Sequence, residues 1–152
     1  MRTALVQTPG DAGGCVPLAP APLLPPVTRE WSTACDPTPR AAALARTRAR
    51  AQLTVFGWEG DVEDAVLVVS ELVTNAVRHA YAPGRVPWLR LALLEGGGLL
   101  VDVSDAVDGF VPRDTSEEGG RGLQLVRNLG QLSWFLRAAP QCGKTVRVQL
   151  LP

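Results

Sequence analysis

"VVSELVTNAVRHA", residues 68–80, is an apolar run interrupted by Glu71, Asn75, Arg78 and His79. Around it, apolar residues fall at 62, 65, 66, 69, 72, 73, 76 and 77. That three-and-four spacing belongs to a helix that buries one face. Asp61 stands where a capping residue should, so the pattern predicts a helix from there through Ala80. Positions 64, 68, 71, 75 and 78 make a second stripe, on which Glu71 and Asn75 lie one turn apart and point the same way. Val68 precedes them, so the stripe is not an ordinary wetted surface. A carboxylate there needs partners, which a ligand or metal ion would supply. From the helix alone, a solvated edge is the simpler account. His79, the one histidine of the chain, reads as structural, since no triad or zinc pattern surrounds it.

Working outward, "DPTPRAAALARTRARAQLTVFG" (36–57) reads as an earlier helix, with Asp36 as its cap, Pro37 in its first turn and Gly57 at its end. "REWSTA" (29–34) before it is a short strand candidate. Downstream, Ala82-Pro83-Gly84 stops the second helix and the period changes to two. "VPWLRLALLE" (86–95) and "LLVDVSDAV" (99–107) are strand-like and joined across Gly96, Gly97 and Gly98. A polar loop, "DGFVPRDTSEEGG" (108–120), leads to a third helix, "RGLQLVRNLGQL" (121–132). Two closing strands follow, "SWFLRAA" (133–139) and "KTVRVQLL" (144–151), with a turn from Pro140 to Gly143. In the last strand Val146, Val148 and Leu150 share one side, and Thr145, Arg147 and Gln149 the other. These elements predict an α+β, two-layer sandwich with three helices on one face of a mostly antiparallel sheet.

Composition limits what such a domain does. The chain has 152 residues, enough for one domain with a proper core. Its 15 Lys plus Arg balance 15 Asp plus Glu, so no charged footprint points to nucleic acid or an anionic membrane. Cys15, Cys35 and Cys142 form no CxxC pair or zinc spacing and read as free thiols of a reducing cytoplasm. No apolar run is long enough to span a bilayer. Pro9, Gly10 and Asp11 break any secretion-signal core. Residues 1–29 hold six of the 13 prolines and read as an extended or disordered arm. The folded domain is therefore expected over 30–152.

Two further segments carry candidate chemistry. In "EEGGRGLQLV" (117–126), Gly119, Gly120 and Gly122 precede or open the third helix. Free N–H groups and the positive helix end meet there, and the missing side chains admit a phosphate. Arg121 adds a cation. A plain glycine turn explains the same residues equally well. Asp105, ending an apolar strand, can accept a hydrogen bond from an exocyclic amine, or simply end the strand in a turn.

Taken in order, the helix ExxxN (Glu71, Asn75), the strand-end Asp105 and a loop closing on Gly120-Arg121-Gly122-Leu123 resemble the N, G1 and G2 boxes of the GHKL superfamily, which includes gyrase, histidine kinases and heat-shock chaperone ATPases. "ELVTNAVRHAY" and the ending "W…GKTVRVQL" look more specifically like single-domain anti-sigma-factor serine kinases, above all the actinobacterial ATP-binding regulators of that type. The resemblance covers residues 30 to 151. It implies the Bergerat ATP-binding fold, with ATP and Mg²⁺ as cofactors. It implies Asn75 as the Mg²⁺ holder, Glu71 as general base toward a serine hydroxyl, and Asp105 as the reader of adenine N6. It further implies Gly120 and Gly122, with Arg121, at the phosphates, Gly109 in the G1 box, Thr145 near the adenine, and residues 107–119 as an ATP lid. G1 boxes usually read DxGxG; here Val107 replaces the first glycine.

The function implied is a cytoplasmic serine/threonine kinase that phosphorylates a STAS-type antagonist and sequesters a sigma factor. It would work as a homodimer, with no direct nucleic-acid or membrane contact. The alternative is a non-catalytic switch that holds its partner when ATP is loaded. A sensor histidine kinase is disfavoured, because no helix pair with a phospho-acceptor histidine precedes the domain.

Overall fold

A computed structural model of the chain describes residues 23–79, 82–108, 121–138 and 141–152. In order, these form β1 (Val27–Ala34), α1 (Ala41–Phe56), α2 (Val62–His79), β2 (Trp88–Leu94), β3 (Leu99–Asp105), α3 (Arg121–Leu129), β4 (Gln131–Leu136) and β5 (Lys144–Leu150). The five strands make one sheet in the order β1-β2-β3-β5-β4, with every neighbouring pair antiparallel. The expected α+β sandwich is thus present, and its described strands are antiparallel throughout.

Alternation along the strands creates the two faces. Leu89, Leu91, Val101, Val103, Val146 and Val148 turn toward the helices and join one core with residues of α1 and α2. From α2 that core takes Ala65, Val66, Val69, Leu72, Val73 and Ala76, the expected stripe, together with fully buried Val68. From α1 it takes Ala41, Ala45, Ala49, Leu53 and Phe56. The small alanines let α1 lie close against α2. On the outside, Arg46 donates to Ser70 at 2.9 Å and Arg50 pairs with Glu63.

Caps and turns fix the ends. Asp61 Oδ1 accepts the Asp64 N–H at 3.0 Å, as its position predicts. Gly57 ends α1 in the left-handed region, at φ 64°. The last carbonyls of α1 receive a cation from outside the helix: Arg29 of β1 donates to the oxygens of Val55 and Phe56 at 3.2 and 3.4 Å.

Several boundaries differ from expectation. Helix α1 starts at Ala41, with Arg40 in the cap position, so Asp36 is not its cap. Pro39 disfavours a helical Thr38, and residues 36–40 turn instead through Thr38 N–H to Asp36 O at 2.7 Å. Helix α3 ends at Leu129 rather than 132, and β4 begins at Gln131. A Cβ on Gly130 would stand 2.6 Å from Gln149 O, so the chain passes too near β5 for another helical turn. Strand β1 begins at Val27, which places residues 27–29 of the expected arm in the sheet. Thr28 Oγ1 donates to Leu93 O at 3.1 Å, and Pro26, which lacks an N–H, accepts from Glu95 at 2.8 Å. The arm up to residue 22 lies outside the described residues.

Candidate functional site

Helix α2 packs against α1, α3, β3 and β5. Glu71 and Asn75 are both half-buried on it, one turn apart. The Glu71 carboxylate lies against the first turn of α3. A Cβ built on Gly122 would stand 2.0 Å from Glu71 Oε2 and 2.8 Å from its Cδ. Only glycine lets the two approach so closely. An anion at that place is also favoured by the positive end of the helix. Sequence-predicted Glu71 and Gly122 are therefore brought together by packing between α2 and α3.

Asp105 ends β3 on the helix side of the sheet and is buried, 4% exposed. Its carboxylate is already engaged. Lys144 Nζ donates to Oδ1 at 3.0 Å and to Oδ2 at 2.9 Å, and the Val107 N–H donates to Oδ1 at 2.9 Å. Lys144 is buried to the same degree, 5% exposed. Sequence reasoning missed this partner, although the strand alternation contains it. Lys144 shares parity with Val146, Val148 and Leu150, so a cation was bound to sit on the buried row.

Thr145 falls on the opposite face. It pairs with Ser104, and their hydroxyls lie 2.7 Å apart. It lines a cleft of about 300 Å³ that also includes Trp88, Arg90 and Phe135. The structure therefore does not bring Thr145 together with Glu71, Asn75 and Asp105. On the same outer face Asp102, 3% exposed, accepts two bonds of 2.8 Å from Arg147 and one of 3.0 Å from Arg90. That hydrogen bonding raises the Arg147 guanidinium above its ordinary pKa.

Val107, the departure in the G1 box, needs no glycine. Among the described residues Cys142 is the one non-glycine with positive φ. The segment after Asp105 is instead clamped to the start of β5, with Asp108 Oδ1 accepting the Gly143 N–H at 2.8 Å. Gly109, Gly120 and all but the first two residues of the expected lid over 107–119 lie outside the described residues. Arg121 opens α3, but its side chain is also outside the description.

Compared with known proteins, residues 35–150 match the family model of the histidine kinase-like ATPase domain. Among solved structures, the chain is similar to the RsbU and RsbW domains of Rv1364c from Mycobacterium tuberculosis, at 25% identity and a TM-score of 0.58. The likeness covers 82% of this chain and 32% of that one, so the chain corresponds to only part of that protein's length. No curated protein matches.

Proposed function

The chain belongs to the histidine kinase-like ATPase domain family, and from that premise we propose that it is an ATP-binding regulator of anti-sigma-factor type. Its reaction is phosphoryl transfer to a serine or threonine of a STAS-type antagonist, and its second partner is a sigma factor. The observation that carries this reading is the Glu71 carboxylate lying against Gly122 at the start of α3, with Asn75 one turn along the same helix. The similarity to a structure containing an RsbW domain supports the partner class. Among the described residues no helix is long and apolar enough to cross a membrane.

The residues present suit MgATP. Gly122 lets the Glu71 carboxylate reach the first turn of α3, where the phosphates would be met. Asn75 offers a carboxamide oxygen to a hard cation. Bound Mg²⁺ would neutralise phosphate charge, and Asn75 would hold it. The Glu71 carboxylate accepts the proton of the attacking hydroxyl. The N–H groups of the first turn of α3 orient the phosphates. Such catalysis is mostly positioning and charge neutralisation. Acting as a dimer belongs to the same proposal, as do Gly109, Gly120 and Arg121 as nucleotide contacts.

The test combines transfer and binding. The chain is incubated with γ-labelled ATP, Mg²⁺ and STAS proteins from the same genome. The expected result is a labelled hydroxyl residue on one of them. Glu71→Ala should lower transfer by about 10²- to 10⁴-fold while sparing ATP affinity. Asn75→Ala should lose both. Wild-type transfer by Glu71→Ala would remove Glu71 as the base. The alternative is a non-catalytic switch that holds its partner when ATP is loaded. Partner capture that requires ATP but never yields phosphorylation would establish that alternative.

A further inference from the structure

The Asp105–Lys144 pair goes beyond what an adenine-reading carboxylate requires. A carboxylate has about four acceptor positions. Here Oδ1 takes the Val107 N–H and the ammonium, and Oδ2 takes the ammonium again. One acceptor position is left, on Oδ2. The ammonium has three donors. Two go to the carboxylate oxygens, and the third reaches Val107 O only at 3.4 Å, a long contact that a closer acceptor can take over.

The pair cannot swing aside easily. Asp108 binds the Gly143 N–H, and a Cβ on Gly143 would stand 2.0 Å from Asp105 O, so residues 105–108 and 143–144 are pressed together. Joining β3 to β5 does not demand the pair, because Asp102 and Arg147 already link the same two strands on the other face. A buried lysine–carboxylate pair is in any case weak evidence of a stabilising role, since desolvation offsets much of its attraction.

We propose that Lys144 is a specificity-determining residue of the base subsite, competing with the nucleobase for Asp105 and offering the base a donor of its own. The inference rests on Asp105 being the base-contacting carboxylate, as in the function proposed above. A lone carboxylate accepts a 6-amino group and repels a 6-oxo group. The pair treats them more evenly. A 6-amino purine must share Asp105 with the ammonium, whereas a 6-oxo purine can accept a hydrogen bond from Lys144. ATP is therefore held less tightly than Asp105 alone would hold it, and the preference for ATP over inosine triphosphate is compressed.

The test is calorimetric titration of the full chain with MgATP and with magnesium inosine triphosphate, for wild type, Lys144→Thr and Lys144→Gln. Lys144→Thr should bind ATP roughly tenfold more tightly, the scale of one charge-assisted hydrogen bond. Inosine triphosphate should not follow, so the ratio of the two affinities should widen by at least about tenfold. Lys144→Gln keeps an N–H donor without charge. It should fall between the two, and it carries the test if Lys144→Thr does not fold. A structural role alone would leave the ratio unchanged, and that result overturns the proposal. So does weaker ATP binding by both folded variants. Absence of binding in wild type and variants alike would overturn the nucleotide-site reading itself, and this inference with it.

Discussion

Replacing Gly143 by alanine should strongly destabilise the protein, whereas replacing Gly122 should not, although each substitution puts a Cβ 2.0 Å from an oxygen. The difference lies in what must move. Gly143 has φ +87°, where a side chain costs about 1–2 kcal/mol. Its new Cβ would also meet backbone: Asp105 O at 2.0 Å and Ala106 Cα at 2.8 Å. Asp105 is tied into the β3–β5 ladder, so relief requires a backbone shift, adding about 1–3 kcal/mol. The total of about 2–5 kcal/mol is a large share of a typical stability of about 5–15 kcal/mol. For a domain of this size it lowers the melting temperature by roughly 5–15 °C. Gly122 is helical, and its Cβ would meet only the end of the Glu71 side chain, which can rotate away. Gly122→Ala should therefore melt within about 3 °C of wild type but lose phosphoryl transfer, because the Glu71 carboxylate is pushed from its place. Circular dichroism melts of the two variants test this. A Gly143→Ala melt within about 2 °C of wild type, or a Gly122→Ala melt as low as that of Gly143→Ala, would refute the reasoning.

Asp102→Ala should cost about 2–4 kcal/mol in urea unfolding, below the full figure for a buried pair because Arg90 and Arg147 both reach solvent. Arg29→Ala should cost about 0.5–1 kcal/mol in the same assay, since α1 has no basic residue of its own in its last turn. Burial pushes the Cys35 thiol above its ordinary 9.0. The folded state thus holds that proton more tightly than the unfolded chain, and the resulting stability is lost as pH rises from that ordinary value through the folded one. Stability measured across alkaline pH should accordingly fall less steeply in Cys35→Ala than in wild type.

The sequence announced the layers clearly because period and burial agree. The helical stripe of α2 and the alternation of β5 both reappear in the core. It was less clear where backbone proximity decides. Gly130 ends α3 because β5 passes beside it, and no local signal reports a strand 19 residues later. Glu71 drew the expectation of a site because a carboxylate beside Val68, which the fold buries fully, asked for an explanation. Its contact with Gly122 depends on how two helices pack, which spacing alone does not state. Thr145 was misleading for a simpler reason. It follows Lys144 directly, and neighbouring strand residues face opposite ways, so only one of the two could lie beside Asp105.

The strand order has a consequence for synthesis. β5, made last, lies between β3 and β4, which are made earlier. Until residues 144–150 leave the ribosome, β3 presents an open edge and β4 lacks the one partner it has among the described residues. Asp105 waits until Lys144, 39 positions later, arrives to neutralise it. Deletion of the final strand would therefore do more than shorten the sheet: it would detach β4, bare the edge of β3 and leave a buried carboxylate without its cation. A nascent chain stalled before Lys144 should behave as a sticky intermediate, and the Asp105–Lys144 pair is among the last features of the molecule to exist.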